Sequence, residues 1–172
     1  MNTKIESDKI NIACERYKRI YETKQQKFIK LDEWLDKESN IFEKELRKEK
    51  VNFPKFKRGE IIKVDFGINI GTELSHTHFA IVINSDDSTK NDNITVIPIT
   101  SKDGYKRIFL GKILKKAIPN TKKYNLDCYG FLTQIKTISK KRVFATKERY
   151  ICEDKILDKI DNEVITFLTK PK

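Results

Sequence analysis

The first 50 residues contain neither glycine nor proline, and this feature constrains the fold of the chain more than any other. Mixed charges alternate there with apolar residues whose gaps are threes, fours and their sums, which is the spacing of one helix face. The pattern predicts one long helix over about 10–37 and a shorter one over about 41–50. Asn40 is the expected N-cap of the second helix, with Glu43 three residues later. The apolar positions are Ile10, Cys14, Tyr17, Tyr21, Phe28, Leu31, Leu35, Phe42 and Leu46.

Two interpretations of this helical arm stay open. The arm packs on the rest of the chain or on its copy in a dimer, or it is a partner-binding or coiled-coil segment. Lys24 and Glu38 occupy positions that a heptad repeat would fill with apolar side chains, and they favour the first interpretation.

Pro54 marks a change from helical to β pattern. Short runs rich in Ile, Val, Phe and Thr, separated by turn residues, predict a barrel or sandwich. An apolar stripe with an acidic first turn predicts a terminal helix over 154–168. We therefore expect an arm over 1–53 and a mainly β (α+β) domain over 54–172. The predicted strands are Glu60–Phe66, Phe79–Asn84, Thr95–Thr100, Arg107–Leu114, Cys128–Gln134, Lys136–Ile138 and Val143–Lys147.

Composition excludes several classes of protein. The 172 residues are 38% hydrophobic and 35% charged, which allows one modest core. No apolar run approaches the ~18–20 residues that a membrane span needs, and the N-terminus lacks the apolar segment of a secretory signal. Cys14, Cys128 and Cys152 are far apart and have no C-x-x-C spacing. They predict reduced thiols in a cytoplasmic protein without a metal site or cofactor.

The positive charge lies mostly beyond the arm. Residues 1–53 carry 13 Lys and Arg against 11 Asp and Glu, whereas residues 54–172 carry 23 against 14. A basic domain attracts polyanions, although many small basic domains bind no nucleic acid. The lysines that follow the Thr100 strand form either an RNA-backbone rim or an ordinary solvated face. These are Lys102, Lys106, Lys112, Lys115, Lys116, Lys122 and Lys123.

Four segments of the β region carry recognisable motifs, and they are Arg58–Phe66, Gly71–Ile83, Val96–Ser101, and Gly130–Ile138 followed by Arg142-Val143. In this order they resemble the motifs of the MazF/PemK family of toxin endoribonucleases. The likeness implies an SH3-like small barrel of the MazF/PemK/CcdB type with a C-terminal helix, usually a homodimer. It implies cleavage of single-stranded RNA at short sequences, and inhibition by a cognate antitoxin. Residues 1–53 have no counterpart in the compact members.

One departure from the family pattern is central. The best-known members carry a catalytic Arg followed by a Pro at two successive positions. In this chain these positions hold His78 and Phe79. Metal-free RNA cleavage uses the substrate 2′-hydroxyl as nucleophile and needs a base, an acid and donors to the phosphorane. A neutral histidine accepts a proton better than a guanidinium does. His76 joins it as a candidate, since in an extended chain residues two apart project to the same side.

The resemblance implies roles for further residues, each with a structural alternative. Thr100 matches the second catalytic position, and its hydroxyl, like that of Ser101, would donate to a phosphate oxygen; a strand-end Thr also commonly satisfies a turn. Glu73 orients a base or accepts the 2′-hydroxyl proton, or is a solvated loop residue. The RNA-binding candidates are Thr72, Gln134, Lys136 and Arg58, of which Arg58 is alternatively structural.

Aromatic rings offer stacking faces for bases, although most are expected in the core. They are Phe66, Phe79, Tyr105, Phe109 and Tyr129.

Three functions are compatible with these features. The first is a sequence-selective endoribonuclease toxin. The second is a toxin of the same barrel that binds a protein target, as the CcdB relatives do, and such a protein would not need the pair of His78 and Thr100. The third is a non-catalytic RNA-binding module with a helical interaction arm.

Overall fold

The computed structural model describes residues 3–48, 52–118, 124–145 and 149–169. The chain divides into two compact units. The first contains Met1–Lys50 with Gly67–Ser75, and the second contains Val51–Phe66 with His76–Lys172. The division into an arm over 1–53 and a domain over 54–172 stays a prediction.

The helices of the first unit are α1, Thr3–Glu22, and α2, Leu31–Leu46, with a 3-10 turn at Gln26–Phe28 between them. The predicted break at residues 38–40 is therefore wrong. Ser39 lies inside α2 and donates its hydroxyl to the Asp36 carbonyl, and Asn40 also lies within this helix. The helical spacing of apolar residues continues through the real break, so periodicity alone does not reveal it. Residues 49 and 50 of the predicted second helix lie outside the described residues.

The real break follows α1 at Thr23 and Lys24. The Thr23 hydroxyl donates to the Ile20 carbonyl, and Lys24 adopts a φ of +52°, which ends the helix although no glycine is present. After the break the second α-helix begins at Leu31, and Leu31 and Trp34 are the buried residues of α2.

The second unit is a curled antiparallel sheet with a C-terminal helix, and the fold class expected from the sequence is confirmed. The sheet order is β4-β5-β3-β2-β1-β7, and β6 also pairs with β3. The strands are β1 Glu60–Asp65, β2 Thr77–Val82, β3 Asn93–Thr100, β4 Arg107–Gly111, β5 Cys128–Phe131, β6 Lys136–Ser139 and β7 Tyr150–Ile151. The helices of this unit are α3 Ile113–Ala117 and α4 Asp154–Thr169.

Six of the predicted strands are confirmed with shifted ends, and the seventh is not. Val143 forms an isolated bridge with Val64, and residues 146 and 147 of that prediction lie outside the described residues. The predicted strand from Arg107 ends early because Gly111 adopts a φ of +67° and α3 begins two residues later. The strand from Cys128 likewise passes into a 3-10 turn at Leu132–Gln134.

Both faces of the central strands are buried. One face carries Ile61, Ile81 and Ile97, which lie opposite one another across β1, β2 and β3 and share a core cluster with Ile160 of α4. The other face carries, among others, Val64, Ala80 and Val96, which are also fully buried. Strands buried on both faces have nearly continuous apolar sequences, as the run from Ile94 to Ile99 does.

No described helix is both long and apolar enough to cross a membrane. The three cysteines are free thiols, of which Cys14 is exposed and Cys128 and Cys152 are buried.

Candidate active site

Two candidate residues lie at the same end of the β2–β3 pairing. The antiparallel ladder pairs Ala80 with Pro98 at that end. His78 starts β2 two residues before Ala80, and Thr100 ends β3 two residues after Pro98, so antiparallel strands carry both to the same end of the pair. Both side chains project from the face that carries Ala80, since side chains alternate along a strand. This face is the one opposite the α4 cluster.

His78 is half-buried at the start of β2, opposite Val64 of β1. The ring of Phe66 meets it edge-on, with centroids 6.3 Å apart and planes inclined by 61°. The ammonium of Lys136 lies 6.0 Å from the centroid of the same Phe66 ring. Lys136 pairs with Val96, so its side chain projects from the same face. The Phe66 ring thus lies near both the imidazole of His78 and the ammonium of Lys136.

Thr100 ends β3, and its hydroxyl oxygen accepts a hydrogen bond of 3.2 Å from the Lys102 backbone N–H. Thr100 therefore satisfies a turn at the end of its strand, which is the structural alternative given for it above. A hydroxyl that accepts one hydrogen bond still keeps a proton to donate. Ser101 beside it is exposed. On the other edge of β3, Thr100 pairs with Tyr129, whose ring lies 5.5 Å from that of Phe109.

The two histidines do not form an extended pair. His76 precedes β2 and has a φ of +69°, which is left-handed backbone, so the side-to-side alternation expected for residues 76 and 78 does not apply. The His76 carbonyl accepts a hydrogen bond of 3.0 Å from the Phe66 N–H. This bond closes the base of the connection between β1 and β2. A catalytic role for His76 stays a prediction.

Thr72 and Glu73 lie on that connection, and both are exposed. The connection, residues 67–75, belongs to the first compact unit. Within it the Glu73 N–H donates to the Ile70 carbonyl at 3.2 Å. The Asn69 side-chain amide donates to the Leu74 carbonyl, and the Asn69 backbone N–H donates to the Ser75 hydroxyl oxygen. The proposed roles of Thr72 and Glu73 stay predictions.

Arg58 and Gln134 lie in the second unit. The guanidinium of Arg58 donates to the Ile83 carbonyl and to the Asp161 carboxylate of α4. These contacts favour the structural alternative for Arg58. Gln134 is half-buried at the end of the 3-10 turn after β5.

Arg107 is a candidate that the sequence did not single out. Its guanidinium stacks 3.1 Å from the centroid of the Phe131 ring, and its Nε and Nη1 atoms are buried without a hydrogen-bond partner among the described residues. Burial lowers the pKa of Arg107 from its usual value, while the nearby Asp103 acts in the opposite direction. Buried guanidinium N–H groups of this kind call for an acceptor. In the sequence Arg107 was hidden among the lysines of a charged connection.

No metal centre is evident in the described ranges, where no three His, Cys, Asp or Glu side chains are grouped so that they could hold an ion. The aromatic candidates divide between core and surface. Phe66 is buried, Phe79 and Tyr129 are half-buried, and Tyr105 and Phe109 are exposed.

Solved structures of several toxins are similar to the chain. MazF of Deinococcus radiodurans (Form-I) has a TM-score of 0.49 and 12% identity, covering 68% of this chain and 99% of that one. The MazE-MazF structure (Form-II) of the same organism has a TM-score of 0.44 and 12% identity, and the match covers 69% of this chain and 99% of that one. An endoribonuclease in complex with its cognate antitoxin from a mycobacterial species has a TM-score of 0.46 and 15% identity, and the match covers 71% of this chain and 99% of that one. No curated protein matches the chain.

The sequence comparison identifies the family. Residues 57–168, which include all seven strands and nearly all of α4, match the model of the PemK-like, MazF-like toxins of type II toxin-antitoxin systems. The match covers most of the chain and begins just before Arg58, where the first motif begins. The chain belongs to this family of PemK-like, MazF-like toxins.

Proposed function

We propose that this toxin is an endoribonuclease that cuts single-stranded RNA through attack of the substrate 2′-hydroxyl, without a metal or another cofactor. The observation that supports the proposal is the β2–β3 register, in which His78 and Thr100 lie two residues beyond the pair of Ala80 and Pro98, at the same end of the two strands. Catalytic groups from two strands then meet a single phosphodiester. The family match supports the toxin class.

His78 is the general base in this mechanism. Its neutral imidazole takes the 2′-hydroxyl proton as the 2′-oxygen forms a bond to phosphorus, and the bond from phosphorus to the 5′-oxygen breaks. Thr100 and Lys136 donate to the non-bridging oxygens, where negative charge develops. A second group protonates the departing 5′-oxygen, and His76 and Glu73 are the candidates for it. The products carry a 2′,3′-cyclic phosphate and a free 5′-hydroxyl.

The substrate path and the partners follow from charge and family. Residues 54–172 carry the excess of Lys and Arg, which favours binding to the RNA backbone. Thr72, Ser101 and Gln134 complete the proposed RNA contacts, and we assign Arg58 the structural role because its guanidinium donates to Ile83 and Asp161. We place the toxin in the cytoplasm as a homodimer, with a cognate antitoxin protein as inhibitor. The mycobacterial endoribonuclease is a relative whose structure contains its antitoxin.

The test measures cleavage of a short single-stranded RNA by the purified protein in excess EDTA. We expect products with 2′,3′-cyclic phosphate ends. His78→Ala should lower kcat by about 10²–10⁴-fold, the usual contribution of general acid-base catalysis. Thr100→Ala should also lower kcat. Thr95→Ala is the matched control, because Thr95 lies on the same strand and its hydroxyl bonds to that of Thr137 at 2.9 Å.

The substitution His78→Arg gives a sharper test of the proton-transfer role. The wild-type rate should show an acid limb, falling as pH decreases, because protonation of the imidazole removes the base. Restoring the arginine of the family should remove that limb. Undiminished cleavage by His78→Ala would exclude this residue as the base. Tight binding of uncleaved RNA would instead indicate a non-catalytic RNA-binding module, and growth inhibition without RNA binding would indicate a protein-targeting toxin.

A further inference from the structure

The helical arm holds the connection between β1 and β2 through two contacts. The first is a hydrogen bond of 2.6 Å from the Lys27 ammonium to the Gly71 carbonyl. The second is the packing of the Trp34 indole on Gly67. A Cβ built on Gly67 would lie 2.5 Å from Cζ2 of the indole, so the ring occupies the space that any side chain would need. One contact lies at the start of the connection and the other at its tip.

The middle of the connection is exposed. Gly67 is buried and residues 68, 69, 74 and 75 are half-buried, whereas Ile70 is 88% exposed and Gly71, Thr72 and Glu73 are also exposed. Its hydrogen bonds within residues 69–75 shape it locally. A segment whose middle is exposed in this way opens at low cost in free energy unless another element holds it.

We propose that the arm is a positioning element for RNA cleavage, with Lys27 and Trp34 as positioning residues that fix the loop over 67–75. The inference rests on the proposed ribonuclease function. Thr72 and Glu73 lie on this loop, and its last residue is followed at once by His76 and the strand that begins with Thr77 and His78. Holding the loop before substrate arrives removes an ordering cost from the transition state.

The boundaries of the family match separate the arm from the loop that it contacts. The match begins at residue 57, so α1 and α2 lie outside it. The loop they contact lies inside it. Segments from outside and inside the match therefore belong to one compact unit.

The test compares single-residue variants of the full chain. Lys27→Met removes the ammonium but keeps the aliphatic stem, and Lys27→Arg restores a donor. Lys30→Met is the matched control, because Lys30 lies on the same arm, is exposed, and bonds to Glu33 within the arm. Trp34→Ala removes the indole. Since Trp34 is buried and its loss could unfold the arm, Lys27→Met, at a half-buried position and with the aliphatic stem kept, is the decisive variant.

Two measurements are made on each variant, kcat and KM for RNA cleavage and hydrogen exchange of the amides of residues 68–75. We expect Lys27→Met to lower kcat by about 3- to 10-fold, which corresponds to the net strength of one hydrogen bond. Tm should stay unchanged, and the loop amides should exchange faster. Lys27→Arg should recover most of the kcat, and Lys30→Met should behave as wild type.

The outcomes separate the inference from the proposed function. If the wild-type protein cleaves RNA and Lys27→Met keeps both kcat and loop protection, the inference is wrong and the ribonuclease stands. If the wild-type protein cleaves no RNA, the proposed function fails, and with it the catalytic part of the inference. Loop exchange in Lys27→Met then still decides whether the arm holds the loop.

Discussion

Asp87 and Lys140 form a buried ion pair, so the fold should be sensitive to a change of charge at either residue. The Lys140 ammonium lies 2.8 Å from Oδ2 of Asp87, and the two side chains are 0% and 1% exposed. The Phe56 N–H donates to the same oxygen at 2.8 Å, and the ammonium also donates to the Ser88 carbonyl at 2.8 Å. The pair thus joins the connection before β3 to the 3-10 turn after β6.

Asp87→Asn should destabilise the protein strongly, because it leaves the Lys140 ammonium buried without a counter-charge. Breaking a buried pair in this way costs about 3–5 kcal/mol, a large share of the ~5–15 kcal/mol that holds a typical domain folded. For a chain of this size each kcal/mol lowers Tm by about 2–4 °C. Asp86→Asn is the matched control: it is adjacent and exposed, and should change stability by less than about 0.5 kcal/mol.

Urea unfolding at pH 7 measures these free energies. The double variant of Asp87→Asn with Lys140→Met should be more stable than the sum of the single losses indicates, because it removes both charges. A loss below about 1 kcal/mol in Asp87→Asn would refute the reasoning, given the magnitude expected for an unpaired buried charge. Strict additivity in the double variant would refute it as well.

The same pair predicts a dependence of stability on pH. Burial raises the pKa of Asp87, but the hydrogen bond from Lys140 and those from the Phe56 and Ser88 backbones outweigh burial, so the pKa lies below its usual value. A depressed pKa in the folded state contributes stability above the unfolded pKa of about 3.9. That stability is lost as pH falls through the folded value. Asp87→Asn should lack this component of the acid transition.

Two further predictions concern the cysteines and the glycine under the indole. Burial raises the pKa of Cys152 to about 11, so a thiol reagent should label Cys152 only on unfolding. Cys14 is exposed and should react in the native protein. Equal labelling rates of the two thiols in the native protein would contradict this prediction. Gly67→Ala should displace the indole and shift the emission of the single tryptophan to longer wavelength. Gly71→Ala is the control, because its φ of +59° imposes the same backbone strain with open space around the Cβ; equal shifts would contradict the clash.

The sequence predicted the β elements well because their signal is local. Runs such as Ile94 to Ile99 are β-branched and apolar, and turns bound them, so strand type follows from nearby residues. The break in the arm has no such signal. Lys24 adopts a positive φ, and the gain that offsets its cost is the burial of Leu31 and Trp34 later in the chain. The strand Tyr150–Ile151 has two residues, too few to show a period.

The candidate site was predictable in part. Ordered motifs pointed to His78 and Thr100, but their common face follows from a ladder between strands, which no single segment encodes. His76 shows the limit of the alternation rule, since a histidine at positive φ is not evident from its neighbours. Arg107 is notable only once its buried nitrogens and the Phe131 ring are seen together. Single motifs therefore mark candidates such as His78 and Thr100, whereas Arg107 is marked by tertiary packing alone.

The contacts between the arm and the loop have a consequence in both directions. Isolated helices of the length of α2, 16 residues, are marginal in water, so its stability depends on packing of its buried side, which includes the contact of Trp34 with Gly67. The loop in turn depends on Lys27 and Trp34. Because coupling of binding and order is reciprocal, a ligand that orders the loop must also stabilise the arm. RNA or an antitoxin that engages residues 67–75 should therefore slow hydrogen exchange in α2, far along the sequence from the residues it touches.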